Sequence, residues 1–181
     1  MNFVENRPLI IAHRGAKAFA PENTMASFKL AVESRADGVE FDIKLTKDKE
    51  IIIIHDLTVD RTTNGKGKVK DLSFEAIRKL DAGSFFSEDY KGEKIPLLSE
   101  VLTNLPRHFV INIEITNYGT IFDGLAKKVA ILVKDLGIVD QIIFSSFNPL
   151  NLNITKQIVP EIPVAILADS GKGGWLSRSG V

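Results

Sequence analysis

Apolar and polar residues alternate along residues 38–45, as they do in a β-strand with one apolar face. Strand side chains point alternately to opposite sides. One face is therefore apolar throughout, and the other carries Glu40, Asp42 and Lys44. A short charged turn leads to residues 51–54, an unbroken apolar run. Such a run is typical of a strand buried on both faces, as in a parallel sheet covered by helices.

The carboxylates of Glu40 and Asp42 need a cation if their strand face points into the domain. Side chains two residues apart on a strand lie roughly 6 to 7 Å from each other. At an effective dielectric constant near 20 two such charges repel by about 2 to 3 kcal/mol, and desolvation adds several more. Lys44 can compensate one carboxylate, whereas a hard divalent ion compensates both and prefers oxygen ligands. A solvated strand face without a ligand is the alternative interpretation.

Apolar runs and amphipathic segments alternate along the rest of the chain, which predicts an α/β fold of about six strands. The first strand covers residues 9–12, and a helix with its N-cap at Asn23 or Thr24 runs to about Arg35. Together with strand 38–45 they form a βαβ unit, the unit that produces parallel sheets. Later strands are expected at residues 109–115, 141–147 and 163–168.

The interval between the third and fourth strands, residues 57–108, is longer than an ordinary crossover. It contains the turn signal Asn64-Gly65 and only short helical patterns. We therefore expect a small inserted subdomain at 57–108, within a single domain that covers residues 1–181.

Polar residues collect at the carboxyl ends of the predicted strands, where parallel α/β folds place their sites. We expect closure into a TIM-type (β/α) barrel to bring four strand ends together. The candidate site consists of His13, Glu40, Asp42, His55 and Glu114. A lone histidine after a strand is usually a hydrogen-bonded loop residue, but two of them beside three carboxylates favour catalysis. Three carboxylates favour magnesium or calcium, and zinc is the alternative.

Three further residues were considered for the same site. Arg14 has a planar cation suited to a phosphate, although an ordinary ion pair is the alternative. Gly15 is consistent with a tight turn alone. His108 has no comparable neighbours and is expected at the surface.

Composition argues against several functional classes. Lys plus Arg and Asp plus Glu both number 23, so no global field attracts nucleic acid or membrane. The absence of cysteine excludes disulfides and thiolate metal sites and fits a reducing compartment. The N-terminal segment lacks the apolar core of a signal peptide, and no run reaches the ~18 apolar residues of a membrane span. We therefore expect a soluble cytoplasmic protein with no nucleic-acid partner and no stable membrane insertion.

Seven short motifs occur in order between residue 9 and about residue 115. They are His13-Arg14-Gly15, Pro21-Glu22-Asn23-Thr24, Glu40-x-Asp42, His55-Asp56, Asp60-Arg61-Thr62-Thr63-Asn64-Gly65, Ile95-Pro96 with Glu100-Val101-Leu102, and Ile113-Glu114. The series continues more loosely through Ser145-Ser146-Phe147. Its order resembles the motif series of the glycerophosphodiester phosphodiesterase family.

The resemblance implies a (β/α) barrel with an inserted subdomain. It also implies metal-dependent hydrolysis of small glycerophosphodiesters, such as deacylated phospholipids, to sn-glycerol 3-phosphate and an alcohol, and hence a place in lipid and glycerol metabolism. By motif position, it implies Glu40, Asp42 and Glu114 as ligands of Ca²⁺ or Mg²⁺, His13 and His55 as the acid–base pair, and Arg14 as a substrate-binding contact to the phosphate.

The sequence departs from the family pattern in two places. The family often has a lysine two residues after the third metal-binding glutamate, and this chain has Thr116 there. Either one phosphate contact is missing or another cation supplies it. The barrel also needs about two more strand–helix units, so we expect one truncated after about six strands, with apolar edges at 9–12 and 163–168. Residues 171–181 show no helix or strand pattern.

Two alternative functions remain open at this point. A phosphoinositide- or phospholipid-specific phosphodiesterase could use a similar barrel mouth with two histidines and a metal ion. The lack of an apolar membrane-docking segment favours the soluble glycerophosphodiester substrate. Outside enzymes, an inactive truncated fragment that keeps the metal site is the alternative.

Overall fold

The computed structural model describes residues 7–118, 120 and 122–168. Its strands are β1 (Ile11–His13), β2 (Gly38–Leu45), β3 (Ile51–Ile53), β4 (Val110–Ile115), β5 (Ile142–Ser146) and β6 (Val164–Ile166). Its α-helices are α1 (Met25–Glu33), α2 (Phe74–Lys79), α3 (Leu98–Asn104), α4 (Leu125–Asp135) and α5 (Pro149–Ile158). Short 3₁₀ turns cover Val69–Asp71, Glu88–Tyr90 and Val139–Gln141.

Six strands form one sheet, and five of them follow the order β1-β2-β4-β5-β6 with parallel neighbours. The register places His13 beside Glu40 and Asp42 beside Glu114. Helices connect the parallel strands, so the expected α/β class and βαβ opening are confirmed. Because parallel strands end at the same edge of a sheet, the polar residues at their carboxyl ends lie side by side.

The expected parallel pairing of the apolar run 51–54 is wrong. β3 pairs antiparallel with β2, with Ile43 opposite Ile53, and lies off the main strand order. Its burial on both faces is nevertheless found. Ile53 packs in the main core, whereas Ile52 and Ile54 pack on the other side in a second, smaller core. A strand can therefore be covered on both faces without belonging to a parallel sheet.

The second core is built largely by the long segment between β3 and β4. Its buried members are Ile52, Ile54, Val59, Val69, Ile77, Ala82 and Ile95. The last part of the interval differs, because Leu98, Val101 and Leu102 of α3 pack into the main core. The assignment of 57–108 as an inserted subdomain stays a prediction.

The loop between β1 and α1 is held in a tight conformation beside the carboxyl end of β2. Thr24 caps α1, since its side chain accepts a hydrogen bond from the backbone N–H of Ser27. Gly15 has a φ of +77°, and a Cβ there would lie 2.3 Å from Ser27 Oγ. Only glycine fits this close approach. The turn places Arg14 beside β2. The backbone N–H of Arg14 donates a hydrogen bond to the carbonyl of Glu40.

Among the described residues, β1 and β6 each have one strand neighbour and form the two edges of the sheet. The segment 171–181, which has no predicted element, lies outside the described residues. No helix in the described part of the chain is both long and apolar enough to cross a membrane.

Candidate active site

Three acidic side chains meet at the carboxyl end of the sheet. Glu40 and Asp42 stand on β2 and Glu114 on the neighbouring strand β4, and a carboxylate oxygen of each lies within 4.8 Å of the others. Asp42 is only 2% exposed and Glu40 9%. The pairing of β2 with β4 is enough to bring these three carboxylates together.

Burial and mutual repulsion raise the pKa values of two carboxylates in this cluster, Glu40 and Glu114. Burial, followed by the charges of Asp42 and Glu114, raises the pKa of Glu40 to about 8. Burial also raises the pKa of Glu114. Among the described residues, the buried Oε1 of Glu40 has no hydrogen-bond partner. An unpartnered buried oxygen within an all-oxygen donor set fits a hard divalent cation such as Mg²⁺ or Ca²⁺.

Neutral hydrogen-bond donors hold two of these carboxylates from outside. Asn23 Nδ2 donates to Asp42 Oδ2 over 3.3 Å, and the Tyr118 hydroxyl donates to Glu114 Oε1 over 2.8 Å. Asn23 was expected only as a possible N-cap of α1, which Thr24 provides instead, and Tyr118 had no expected role. Asn23 belongs to one of the ordered motifs, whereas Tyr118, in the loop after β4, carried no signal.

Arg14 and Lys44, the two cationic side chains near the carboxylates, lie in different positions. The half-buried Arg14 has its Nε 3.5 Å from Asp42 Oδ2, and its Nη1 donates to Glu22 over 3.0 Å. Lys44 is buried and donates to the carbonyl and hydroxyl oxygens of Thr116, over 3.0 and 2.6 Å. Within the described residues Lys44 thus forms no direct ion pair with the carboxylates, and it does not serve as their compensating cation. Burial lowers its pKa, although Asp42 and Glu114 oppose that shift.

The structure places His13 in contact with this cluster and His55 close enough for its charge to act on Glu114. His13 ends β1, with its Nε2 3.6 Å from Glu40 Oε2 and its Nδ1 2.9 Å from Lys17 Nζ. Burial, then the charges of Lys17 and Arg14, lower the pKa of His13. His55 follows β3, and its Nδ1 lies 2.7 Å from Asp56 Oδ1. The third histidine of the chain, at position 108, is exposed on the segment before β4.

Arg61 binds Asp56, the residue that contacts the His55 ring. No motif in the sequence predicted this contact. The Nε of Arg61 donates to Asp56 Oδ2 over 2.7 Å, and its two terminal nitrogens donate to Glu22 over 2.8 Å each. The hydrogen bond from Arg61, with a smaller contribution from His55, lowers the pKa of Asp56 to about 2. Asp56 therefore stays ionised and can accept a proton-sharing hydrogen bond from the His55 ring.

Replacing Arg61 by alanine is expected to lower kcat about 10- to 100-fold, because His55 loses the support that orients its ring. Arg78→Ala is the matched control. Arg78 also forms a bidentate pair, with Glu100 at 2.6 Å, but that pair contacts none of the site residues. Steady-state kinetics measure the loss of kcat in both variants, and thermal melts measure any loss of folding stability. The two measurements distinguish a misoriented His55 from a destabilised fold. Equal losses of kcat in the two variants would contradict the orienting role.

Comparison with known proteins identifies the family of this chain. The model of the glycerophosphoryl diester phosphodiesterase family matches residues 13–173. The chain belongs to this family. The glycerophosphodiester phosphodiesterase of Caldanaerobacter subterraneus subsp. tengcongensis is 44% identical over 166 residues, which cover 91% of this chain and 68% of that protein. The enzyme of the same name from Bacillus altitudinis is 41% identical over 160 residues, covering 87% and 65%.

Two solved structures of phosphodiesterases are similar to this protein. One is glycerophosphodiester phosphodiesterase from Agrobacterium tumefaciens, with a TM-score of 0.78, 36% identity and coverage of 87% of this chain and 66% of that one. The other is an Oleispira antarctica phosphodiesterase in complex with the product sn-glycerol-3-phosphate, with a TM-score of 0.86, 31% identity and coverage of 96% and 71%.

These similarities confirm the family resemblance and the TIM-type (β/α) barrel class. Family membership makes the protein a phosphodiesterase, as the sequence analysis predicted. The chain spans about two-thirds of the length of the relatives it matches.

Proposed function

We propose that this protein hydrolyses glycerophosphodiesters to sn-glycerol 3-phosphate and an alcohol, with a bound divalent ion and two histidines. The cluster of three carboxylates carries this proposal, together with the His13 imidazole 3.6 Å from Glu40 and the effect of the His55 charge on Glu114. The product named for the Oleispira antarctica structure supports the same substrate class.

Glu40, Asp42 and Glu114 would hold Mg²⁺ or Ca²⁺. Their oxygens lie within 4.8 Å of one another, and their mutual repulsion is the type that a divalent cation relieves. When bound, such an ion stabilises negative charge on phosphate oxygens. Asn23 and Tyr118 would fix the orientation of two of the three ligands, since they donate to Asp42 and Glu114.

Arg14 would contact the substrate phosphate. Its guanidinium lies between Glu22 and Asp42, which hold it at the edge of the carboxylate cluster. A planar guanidinium in this place matches the oxygens of a phosphodiester and stabilises the charge that develops on them.

His13 and His55 would transfer the protons. One imidazole accepts the proton of the attacking hydroxyl, from water or from the glycerol 2-hydroxyl, and the other protonates the leaving alcohol. Their surroundings differ, because Lys17 lies beside the ring of His13 and Asp56 beside that of His55. Different surroundings of this kind suit opposite roles in proton transfer.

We further propose that residues 57–108 act as an inserted subdomain, whose Arg61 supports the site from outside the sheet. The cytoplasmic location stays a prediction from the sequence.

The test is release of sn-glycerol 3-phosphate by the purified chain from glycerophosphocholine. We expect release with Mg²⁺ or Ca²⁺, loss of release with a chelator, and recovery when the ion is restored. Undiminished release in chelator would contradict the metal-dependent proposal. Phosphoinositide and intact phospholipid serve as comparison substrates. Preferential cleavage of either one would favour the alternative lipid phosphodiesterase.

A further inference from the structure

A cavity of about 480 Å³ opens beside the carboxylate cluster, and its lining includes five lysines. We call it the lysine pocket; its lysines are Lys44, Lys47, Lys49, Lys68 and Lys70. Two come from the tip of the β2–β3 hairpin and two from the segment after β3. The volume lies in the range of pockets that hold small molecules.

The lysine pocket carries a net positive charge. In the described part of the chain, none of its five lysines forms an ion pair with a carboxylate. Of the described residues that line the cavity, Asp123 alone is acidic. Its carboxylate already accepts hydrogen bonds from the Thr120 hydroxyl and the Leu125 backbone N–H. Lys47, Lys49, Lys68 and Lys70 are exposed, and their combined positive field at the cavity therefore favours an anion.

The lysine pocket begins where the carboxylate cluster ends. Lys44 follows Asp42 by two residues on the same face of β2, and Thr116 follows Glu114 by two residues just past the end of β4. The hydrogen bonds from Lys44 to Thr116 join these positions into a shared wall. Two residues along a strand correspond to roughly 6 to 7 Å. A phosphodiester at the carboxylates would thus have one substituent beside Lys44, where the lysine pocket begins.

The rest of the lining suits a small organic group better than a polymer. Leu45, Leu57 and Val69 supply apolar walls around the lysines. Single-stranded nucleic acid is usually bound along an extended groove with stacking aromatic side chains, and no aromatic residue within the described ranges lines this cavity. An alcohol with a polyol or short carbon skeleton and an anionic substituent would contact both types of surface.

We propose that the lysine pocket binds an anionic group on the alcohol half of the substrate, so that the protein prefers glycerophosphodiesters whose alcohol carries a phosphate. This inference rests on the proposed function, because that function defines the alcohol half. The attacking oxygen forms a bond to phosphorus and the bond from phosphorus to the alcohol oxygen breaks. The alcohol leaves with a proton and retains its anionic group.

Binding of inositol 4-phosphate tests the pocket without any turnover. Isothermal titration calorimetry of the full chain with Mg²⁺ is expected to show binding that Lys68→Gln/Lys70→Gln weakens about tenfold. The matched control is Lys29→Gln/Lys134→Gln, which removes the same charge from exposed positions on α1 and α4. The control is expected to change the affinity less than twofold. Higher ionic strength should weaken binding to the wild-type chain, because screening weakens charge attraction.

Hydrolysis of a matched substrate pair tests the preference. Glycerophosphoinositol 4-phosphate and glycerophosphoinositol differ by one phosphate. We expect kcat/KM to be about tenfold higher for the phosphorylated substrate, mainly through KM, and the Lys68→Gln/Lys70→Gln variant to lose this preference. Equal kcat/KM values for the two substrates in the wild-type chain would overturn the inference.

The two experiments separate the inference from the function on which it rests. Inositol 4-phosphate binding that depends on the pocket lysines, without hydrolysis of either substrate, would support the pocket and contradict the proposed function. Hydrolysis of both substrates without binding that depends on the pocket lysines would support the proposed function and contradict the inference about the pocket. Loss of binding to phosphatidylglycerol vesicles in Lys68→Gln/Lys70→Gln, with inositol 4-phosphate binding unchanged, would identify a membrane-facing patch and overturn the inference.

Discussion

Alanine at His13 or at His55 is expected to lower kcat by about 10² to 10⁴ in each single variant, because each removes one proton-transfer group. Metal binding should persist in both variants, since the carboxylate cluster is not altered. Release of sn-glycerol 3-phosphate measures the first effect, and calorimetric titration with Mg²⁺ or Ca²⁺ measures the second.

His108→Ala is the control for the histidine variants. This exposed residue lies in no part of the site, so its loss should leave kcat unchanged. Near-normal turnover in both His13→Ala and His55→Ala would refute the acid–base assignment. A loss of metal binding as large as the loss of turnover would instead indicate that the histidines act on the ion.

The stability of the metal-free protein is expected to fall as pH rises from about 4.5 to about 8. Burial and the neighbouring carboxylates raise the pKa of Glu40 to about 8 in the folded chain, from an ordinary value of 4.5. The folded state therefore binds more protons than the unfolded state across this window, and the free energy of unfolding decreases with pH. The loss is on the order of a few kcal/mol, which corresponds to a fall in Tm on the order of 10 °C.

Glu40→Gln is expected to remove most of this pH dependence, since the amide occupies the same place without a charge. In chelator at pH 8 the variant should melt higher than the wild-type chain, yet bind Mg²⁺ at least 10²-fold more weakly. Glu33→Gln, at an exposed glutamate of α1, should change neither quantity. Thermal melts across pH, with and without the ion, measure both effects. A variant that melts lower than wild type at pH 8 in chelator would contradict the electrostatic account.

The carboxylate cluster could be predicted from the sequence because one strand carries two of its members. Alternation along β2 places Glu40 and Asp42 on one face whatever the neighbouring strands are. The position of the third carboxylate, Glu114, followed from the rule that parallel strands end at a common edge, and the register of β2 with β4 confirms the adjacency. Both inferences use backbone geometry alone, which local sequence determines well.

The contacts made by loop side chains could not be predicted in the same way. Tyr118 reaches Glu114, and Arg61 joins Glu22 to Asp56, across turns whose course no periodic pattern describes. The pairing of β3 was misjudged for a related reason. A short apolar run indicates burial on both faces, but it does not tell whether a second core or a parallel neighbour covers the outer face.

The wall shared by Lys44 and Thr116 separates two kinds of structure. On one side the acidic ligands belong to paired strands of the sheet, and on the other the exposed lysines belong to the hairpin tip and the segment after it. Insertions or charge changes in these surface loops leave the strand register untouched. Selectivity for the departing group can therefore diverge during evolution while the hydrolytic machinery is inherited unaltered.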